Sequence, residues 1–176
     1  KKYAHNAKFD VEVLAGHGIP VNGLGGDTMI AAHLLGESGI GLKALGLNRL
    51  NVAMTEIKEL IGRGAKQISM AAVPLADACE YAAADAEVTY RLADLLFGEL
   101  KEKELWGLFT DVEMPLVTVL VRMEQHGIHL DTASLADLSA ELGEQIGVLQ
   151  AAIYDYAEHE FNINSPQQMG EVLFGE

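Results

Sequence analysis

The chain has 176 residues, of which 49% are hydrophobic, and its 12 basic and 26 acidic side chains give a formal charge of −14. A mean hydropathy of +0.14 predicts a folded protein with one core or two small ones and argues against a disordered chain. No apolar run approaches the roughly 18 to 20 residues that cross a bilayer, and the negative charge disfavours a nucleic-acid partner unless a local site or metal ions bring one.

The amino end, KKYAHN, has neither an initiator methionine nor the apolar segment of a signal peptide. We therefore expect the chain to be a piece of a longer protein. Its single cysteine, Cys79, excludes an internal disulfide and a cysteine-based zinc site, and it fits a reducing cytoplasm. The simplest interpretation of Cys79 is a small buried thiol on a helix.

The first stretch of interest is YAHNAKFDVEVL, which begins at residue 3. As a strand it would place Asp10 and Glu12 on one face, where they could hold a metal ion between them. As a helix it would turn these two acids about 200° apart, so that they could not share one small ion. The pattern of the residues alone leaves both interpretations open.

Glycines divide the chain up to about residue 64 into short elements, in GHGIP, NGLGGD and GESGIG. We predict a mixture of strand and short helices there. Asp27 precedes Thr28 and a helical run, which favours a helix cap over a metal ligand. The densest basic stretch of the chain lies here too. We favour a solvated surface for it over contact with a DNA backbone, and its members are Lys43, Arg49, Lys58, Arg63 and Lys66.

From Pro74 onward the sequence is rich in alanine, leucine and glutamate and predicts one long helix that ends between residues 101 and 105. Tyr81 and Asp85 are four residues apart on it, so a phenol and a carboxylate project from the same face. A carboxylate can ligate Mg²⁺ or Mn²⁺, and a nearby tyrosine hydroxyl can orient a water molecule. In an arbitrary helix such a pair is usually structural, so it is a weak signal by itself.

Three more helices are predicted in the last third of the chain. The first, in DVEMPLVTVLVRMEQHG, has Pro115 in its first turn and Gly127 as its stop, and its apolar stripe is Val112, Leu116, Val119, Leu120 and Met123. The second has a near-heptad stripe that indicates packing against a partner: Leu135, Leu138, Leu142, Ile146, Leu149, Ile153 and Tyr156. The third begins in the capping sequence Ser165-Pro166-Gln167-Gln168.

Several segments together resemble a known family. HNAKFD, GGDTMIAAHLL and VPLADACEYAAADAEVTYRLADLL resemble the second and third motifs of the proofreading 3′-to-5′ exonuclease domain of the bacterial DNA polymerase I family. That domain is a DEDD-type exonuclease with a ribonuclease H-like fold. EMPLVTVLVRMEQHGIHLD and FNINSPQQMGEVLF resemble the start of the family A polymerase domain, where two long helices form the base of the thumb. The resemblance runs from end to end of the chain.

The resemblance implies an α/β fold in which residues 1–108 are the C-terminal part of the exonuclease domain. This part would be an incomplete ribonuclease H-like fold and mostly helical. Residues 109–176 would then be the start of the polymerase domain, with the long thumb-base helices.

The same resemblance assigns roles to individual residues. It implies that Asp10 and Asp85 are metal ligands and that Tyr81 positions the attacking water. The residues that match the path of the 3′-terminal nucleotides are Asn6, Phe9 and His5, the last at a position where the family commonly has glutamine. Two divalent ions, Mg²⁺ or Mn²⁺, would serve the reaction, in a site that is incomplete in this sequence.

The incompleteness follows from a motif that the family has upstream, an Asp-x-Glu on an early strand. Two triplets in this chain have the same spelling, Asp10-Val11-Glu12 and Asp111-Val112-Glu113. The resemblance places both on helices, where residues two apart diverge. We therefore expect neither triplet to replace the missing motif, and we expect only Asp10 of the first triplet to face the site. For YAHNAKFDVEVL this predicts a strand through about His5, Asn6 as helix cap, and then a helix that runs to GHG.

For the whole enzyme, the resemblance implies DNA-templated DNA synthesis with metal-dependent 3′-to-5′ proofreading in the bacterial cytoplasm. Its partners would be primer–template DNA, a single-stranded 3′ end and the rest of the polymerase chain, with no membrane. We expect the chain alone to be inactive. A stand-alone ribonuclease D-like exonuclease is disfavoured by residues 111–176, and a catalytically silent exonuclease-like scaffold is disfavoured by the presence of Asp10, Tyr81 and Asp85.

Overall fold

Two short parallel strands joined by a helix begin the fold, seen in a computed structural model that describes residues 1–175. The three elements are β1 (Lys2–Ala4), α1 (Ala7–Gly16) and β2 (Leu24–Asp27). Parallel strands need a crossover connection, and α1 provides it. The prediction of a strand followed by a helix in this stretch is confirmed, so Asp10 and Glu12 diverge on α1.

Short helices separated by turns follow β2, as the glycine spacing predicted. They are α2 (Thr28–Leu34), α3 (Leu42–Leu50) and α4 (Ile57–Ile61), followed by single 3-10 turns at 64–66 and 70–72. Asp27 is the N-cap of α2, where its carboxylate accepts hydrogen bonds from the backbone N–H groups of Met29 and Ile30. The capping interpretation of Asp27 is therefore confirmed.

Helix α5 (Leu75–Glu102) provides most of the core and confirms the long helix predicted after Pro74. Helices α2 and α3 pack on it, and its buried face is Val88, Thr89, Leu92, Ala93, Leu96, Phe97 and Leu100. After α5 come α6 (Trp106–Leu108) and one π-helical turn (Phe109–Glu113). The rings of Phe97, Trp106 and Phe109 lie 5.2 to 5.7 Å apart and close one end of this core.

Helix α7 (Met114–His126) buries a different face from the one predicted. Val117 and Val121 are buried in a cluster with Ala7 of α1. The predicted stripe is exposed instead: Val112, Leu116, Val119, Leu120 and Met123. Apolar residues occur on every side of α7, so their spacing could not select a face, and packing against α1 selected it. Pro115 in the first turn and Gly127 with a φ of 72° confirm the predicted limits.

By contact density the chain divides into a first unit, Lys1–Gly127, and a second unit, Ile128–Glu176. The described part of the second unit contains α8 (Thr132–Ala157), capped by Asp131, and α9 (Pro166–Phe174), capped by Ser165. Six predicted members of the α8 stripe are exposed: Leu135, Leu138, Leu142, Ile146, Leu149 and Tyr156. A partner for this stripe stays a prediction, as does the family domain boundary between residues 108 and 109.

The single cysteine differs from its prediction. Cys79 lies on α5, but its side chain is exposed. The reason is that the packed part of α5 begins only at Val88, more than two turns later. Among the helices of the described residues, none is long and apolar enough to span a membrane.

Candidate active site

A buried carboxylate on the neighbouring strand fixes the helix that carries Asp10. Asp27 of β2 is 1% exposed, and its Oδ2 accepts a hydrogen bond from the Ala7 N–H at 2.6 Å. Its Oδ1 accepts another from the Asn6 N–H at 3.1 Å. Asn6 holds the predicted cap position of α1 with a φ of 67°, but its own side chain makes no capping hydrogen bond. One carboxylate therefore satisfies backbone donors in the first turns of both α1 and α2.

Asp10 and Asp85 line the same open cavity, whose volume is about 500 Å³. The walls come from β1, α1, α3 and α5, and His5 is among them. Asp10 lies one turn after the fixed start of α1, and Asp85 lies one turn before Val88, the first buried residue of α5. Two carboxylates from separate helices therefore reach one space, and their role as metal ligands stays a prediction.

The electrostatic surroundings of Asp10 disfavour its negative charge. Partial burial and, after it, the nearby carboxylate of Asp27 raise the pKa of Asp10 above its ordinary value. Like charges held close together in this way are typical of sites that bind cations, although packed acids in structural networks show the same shift.

His5 faces the cavity as a neutral ring at neutral pH. Burial lowers its pKa, and the neighbouring carboxylates of Asp27 and Asp85 only partly oppose this effect. Its Nδ1 lies 2.9 Å from the Thr28 hydroxyl oxygen, and that hydroxyl donates to the Ala4 carbonyl at 3.2 Å. The ring and the hydroxyl are within hydrogen-bond distance, and the tautomer of the ring sets which of them donates. A neutral ring held in this way can form hydrogen bonds with a nucleotide but offers no charge to a phosphate.

Lys43 of α3 links the two predicted residues of α5. Its Nζ forms an ion pair with Oδ1 of Asp85 and lies 4.3 Å from the centre of the Tyr81 ring. The side chains of Lys43 and Asp85 are only 23% and 31% exposed. The interpretation of the basic stretch as solvated surface is therefore wrong for Lys43. Among the described residues Tyr81 does not line the first cavity. It opens onto a second cavity, of about 350 Å³, which Lys43 also lines, and its role in positioning water stays a prediction.

Close packing of α3 on α5 explains how Lys43 reaches this position. A Cβ added at Gly46 would come within 3.3 Å of Val88 Cγ1, so the absent side chain allows the close approach of the two helices. Gly46 lies three residues after Lys43, and Val88 lies three residues after Asp85. The two helices are thus in matching register. Gly46 was a local signal of this contact, because an isolated glycine can mark a close packing position, but it did not identify the partner.

Other predicted contacts are not joined to the first cavity. Among the described residues, neither Asn6 nor Phe9 lines it, and the Phe9 side chain is 60% exposed. Their contact with DNA stays a prediction. Arg49, another member of the basic stretch, pairs with Glu37 and Glu99 and is half-buried, so it also differs from the predicted solvated surface.

The donor atoms suit a hard divalent cation in part. Asp10 and Asp85 offer carboxylate oxygens, which Mg²⁺ and Mn²⁺ prefer. Mg²⁺ often binds through one or two carboxylates together with water and substrate phosphates. Within the described residues, no group of three or more histidine, cysteine, aspartate or glutamate side chains could hold a metal ion. The residues therefore fit an ion that takes its remaining ligands from water, substrate or other carboxylates.

Comparison with known families shows which family the chain belongs to. Residues 1–101 match the model of a protein family described as 3′-5′ exonuclease. The chain belongs to this exonuclease family. The matched range includes Asp10, Tyr81 and Asp85.

Individual relatives of this chain are described as DNA polymerase I. The DNA polymerase I of Chloroflexus aurantiacus is 51% identical over 99% of this chain and 19% of its own length. That of Pseudomonas aeruginosa is 36% identical over 98% of this chain and 20% of its own length. The chain thus spans about a fifth of these relatives.

A solved structure is similar as well. It is described as the POL domain of Pol1 from M. smegmatis in complex with DNA primer-template and dNTP. Its TM-score is 0.70 at 28% identity, over 98% of this chain and 27% of that chain. The predicted resemblance to the DNA polymerase I family is confirmed.

Proposed function

We propose that residues 1–108 belong to the ribonuclease H-like 3′-to-5′ exonuclease domain of a bacterial DNA polymerase I, and that residues 109–176 begin its polymerase domain with the thumb-base helices. The whole enzyme, in the bacterial cytoplasm, extends primers on a DNA template and removes mismatched 3′ ends. The observation that carries the proposal is that Asp10 and Asp85 reach one cavity, with Tyr81 one turn before Asp85.

In this proposal Asp10 and Asp85 hold divalent metal, Mg²⁺ or Mn²⁺, beside the phosphodiester to be cut. Such ions, when bound, stabilise the negative charge on the attacking and leaving oxygens. Tyr81 orients the attacking water, because its phenol projects from the same face of α5 as Asp85. Two carboxylates alone hold such ions weakly, so we propose that the motif upstream in the family supplies further ligands.

The remaining predicted residues bind the 3′ end of the DNA. His5, held by the Thr28 hydroxyl, forms hydrogen bonds with a terminal nucleotide as a neutral ring. Phe9 is exposed on α1 and can stack on or pack against a base. Asn6 offers its side-chain amide, which is not used in capping α1. These three residues give the site polar and apolar contacts but no positive charge.

One alternative has a specific observation in its favour. Lys43 already neutralises Asp85, and the described residues contain no complete metal cluster, as expected of a catalytically silent scaffold that supports the polymerase. The stand-alone ribonuclease D-like alternative has less support, because the DNA polymerase I relatives match the chain almost from end to end, residues 111–176 included.

The experiment is a chimera that restores the surroundings of the site. Residues 1–176 replace the matching segment in whichever of the Chloroflexus and Pseudomonas relatives is first shown to degrade single-stranded DNA from its 3′ end. We expect the chimera to degrade the same DNA with Mg²⁺ or Mn²⁺. We expect Asp85→Asn to lower the rate by orders of magnitude, because it removes a charged ligand. Primer extension by the same variant should not change.

The matched control is Asp94→Asn, the same chemical change at an exposed position of α5 that does not line the first cavity. It should leave DNA degradation unaltered. A chimera that extends primers but does not degrade DNA would support the silent scaffold. Primer extension by the purified chain alone would contradict the assignment of residues 109–176 to only the start of a polymerase domain.

A further inference from the structure

We propose that Lys43 is a positioning residue of the exonuclease site, a resident cation that occupies Asp85 in the ion-free protein and is displaced when a divalent ion binds. The proposal deepens the proposed function and rests on the metal-ligand role of Asp85. It does not come from the sequence pattern, in which Lys43 is one of several basic residues between 43 and 66.

Lys43 and a divalent ion would compete for the same oxygen, Oδ1 of Asp85. The Lys43 ammonium lies against Oδ1 of Asp85, and both side chains are about three-quarters buried or close to it. A divalent ion bound to the same carboxylate oxygen would lie next to this ammonium, and two adjacent cations repel each other. The Lys43 contact and an ion on the same oxygen therefore exclude each other.

The second cavity offers a place for the displaced ammonium. The cavity of about 350 Å³ beside the pair is lined by Lys43 and Tyr81, and also by the carboxylate-bearing residues Asp77 and Glu80. Since the lysine stem is flexible, its ammonium can turn from Asp85 towards these acids. The backbone of α3 need not move, because the packing of Gly46 against Val88 fixes it.

The Lys43 contacts hold Asp85 and Tyr81 in place when no ion is bound. Without an ion, Lys43 neutralises the Asp85 carboxylate at the wall of the first cavity. The ammonium over the Tyr81 ring keeps the phenol and the carboxylate together on α5 before the ion arrives. The site thus keeps its geometry without metal, and the cost is a weaker affinity for the ion.

The first test measures Mn²⁺ binding to the purified chain by the electron paramagnetic resonance signal of free Mn²⁺. We expect Lys43→Met to bind Mn²⁺ about threefold more tightly, the size expected for removing one partly exposed ion pair. A purely structural role would give the opposite result, because a loosened site binds an ion less well. Equal or weaker binding by Lys43→Met overturns the proposal.

Two controls make this result specific to Asp85. Lys58→Met changes the net charge by the same amount on α4, where Lys58 is near Glu56, and should leave Mn²⁺ affinity unchanged. In an Asp85→Asn background, Lys43→Met should no longer tighten binding. The same gain in that background, or in Lys58→Met, would show a general charge effect and overturn the proposal.

The second test needs no substitution at Lys43. Brief acetylation of the unmodified chain with acetic anhydride, followed by mass spectrometry, measures how accessible each lysine ammonium is. We expect saturating Mg²⁺ to raise the labelling rate of Lys43 several-fold and to leave Lys58 unchanged as an internal reference. An unchanged Lys43 rate at saturating Mg²⁺ overturns the proposal.

The chimera separates this proposal from the proposed function. With Lys43→Met, half-maximal DNA degradation should occur at a lower Mn²⁺ concentration than in the unsubstituted chimera. If the chimera degrades DNA with the same Mn²⁺ dependence in both forms, the inference about Lys43 fails and the exonuclease function stands. If it degrades no DNA although Lys43→Met tightens Mn²⁺ binding, the function fails and the competition stands.

Discussion

Replacement of the Asp27 carboxylate by an amide is the sharpest test of how the candidate site is built. In Asp27→Asn one oxygen remains and the other becomes an NH₂ group. One oxygen of Asp27 accepts from Ala7, and the other accepts from Asn6, Met29 and Ile30. Either orientation of the new amide therefore points an NH₂ group at a backbone N–H group, and two donors cannot bond.

The magnitude follows from the burial of these groups. Ala7 is fully buried, and its N–H donates to Asp27 at 2.6 Å. A buried donor left without a partner costs about 1–3 kcal/mol, and hydrogen bonds to a charged group lie at the upper end of this range. We therefore expect Asp27→Asn to lower the free energy of unfolding by about 2–3 kcal/mol. Asp27→Ala also removes the cap of α2, which adds about 1 kcal/mol.

The assay is urea unfolding followed by the fluorescence of Trp106, the single tryptophan, which packs against Phe97 and Phe109 in the first unit. Asp77→Asn is the matched control, since it makes the same chemical change at an exposed residue in the first turn of α5. Its effect should stay within about 0.5 kcal/mol. If Asp27→Asn changed stability no more than Asp77→Asn, the assignment of Asp27 as the anchor of α1 would be refuted.

Two further predictions concern packing and pH. Gly26→Ala should lower the free energy of unfolding by about 1–3 kcal/mol, since its Cβ would lie 2.4 Å from Phe97 Cζ. Gly98 lies within α5, and a Cβ added there would meet no atom within 4 Å. Gly98→Ala should therefore raise the free energy of unfolding by about 0.5–1 kcal/mol in the same urea titration. Hydrogen bonds from the backbone N–H and hydroxyl of Ser134 lower the pKa of Asp131 from its ordinary 3.8. The ionised cap of α8 therefore contributes stability above pH 3.8 and loses it as the pH falls through the lowered pKa. Any difference in helix content between the chain and Asp131→Asn, measured by far-UV circular dichroism, should disappear over this acid range, and a difference that persists below it would contradict the prediction.

Features determined by neighbours in sequence were predictable. Asp27 before a helical run indicated a cap, because a short acidic side chain reaches the N–H groups of the next turn. Pro115 and Gly127 marked the limits of α7, because each restricts or permits backbone angles at its own position. The pair Tyr81 and Asp85 depended only on the pitch of one helix.

Features determined by distant contacts were not predictable. Lys43 and Asp85 are 42 residues apart, and only the packing of α3 on α5 brings them together. The buried face of α7 was chosen by α1, because apolar residues on all its sides made the faces equivalent in sequence. Asn6 had the right type and position for a cap, but its side chain makes no capping hydrogen bond. The carboxylate of Asp27, from the paired strand, accepts from the Ala7 N–H instead.

Because Cys79 is exposed, a spectroscopic label attached to it can report how close a bound metal ion lies. It is the chain's single cysteine, so a thiol-reactive nitroxide or fluorophore would attach at one known point without any substitution. Asp85 is six positions after it on α5, which is about 9 Å along the helix axis. A paramagnetic ion at Asp85 would broaden the signal of such a label strongly, and an ion bound elsewhere on this acidic surface would broaden it less. The location of Mn²⁺ could then be read directly, whether or not the protein degrades DNA.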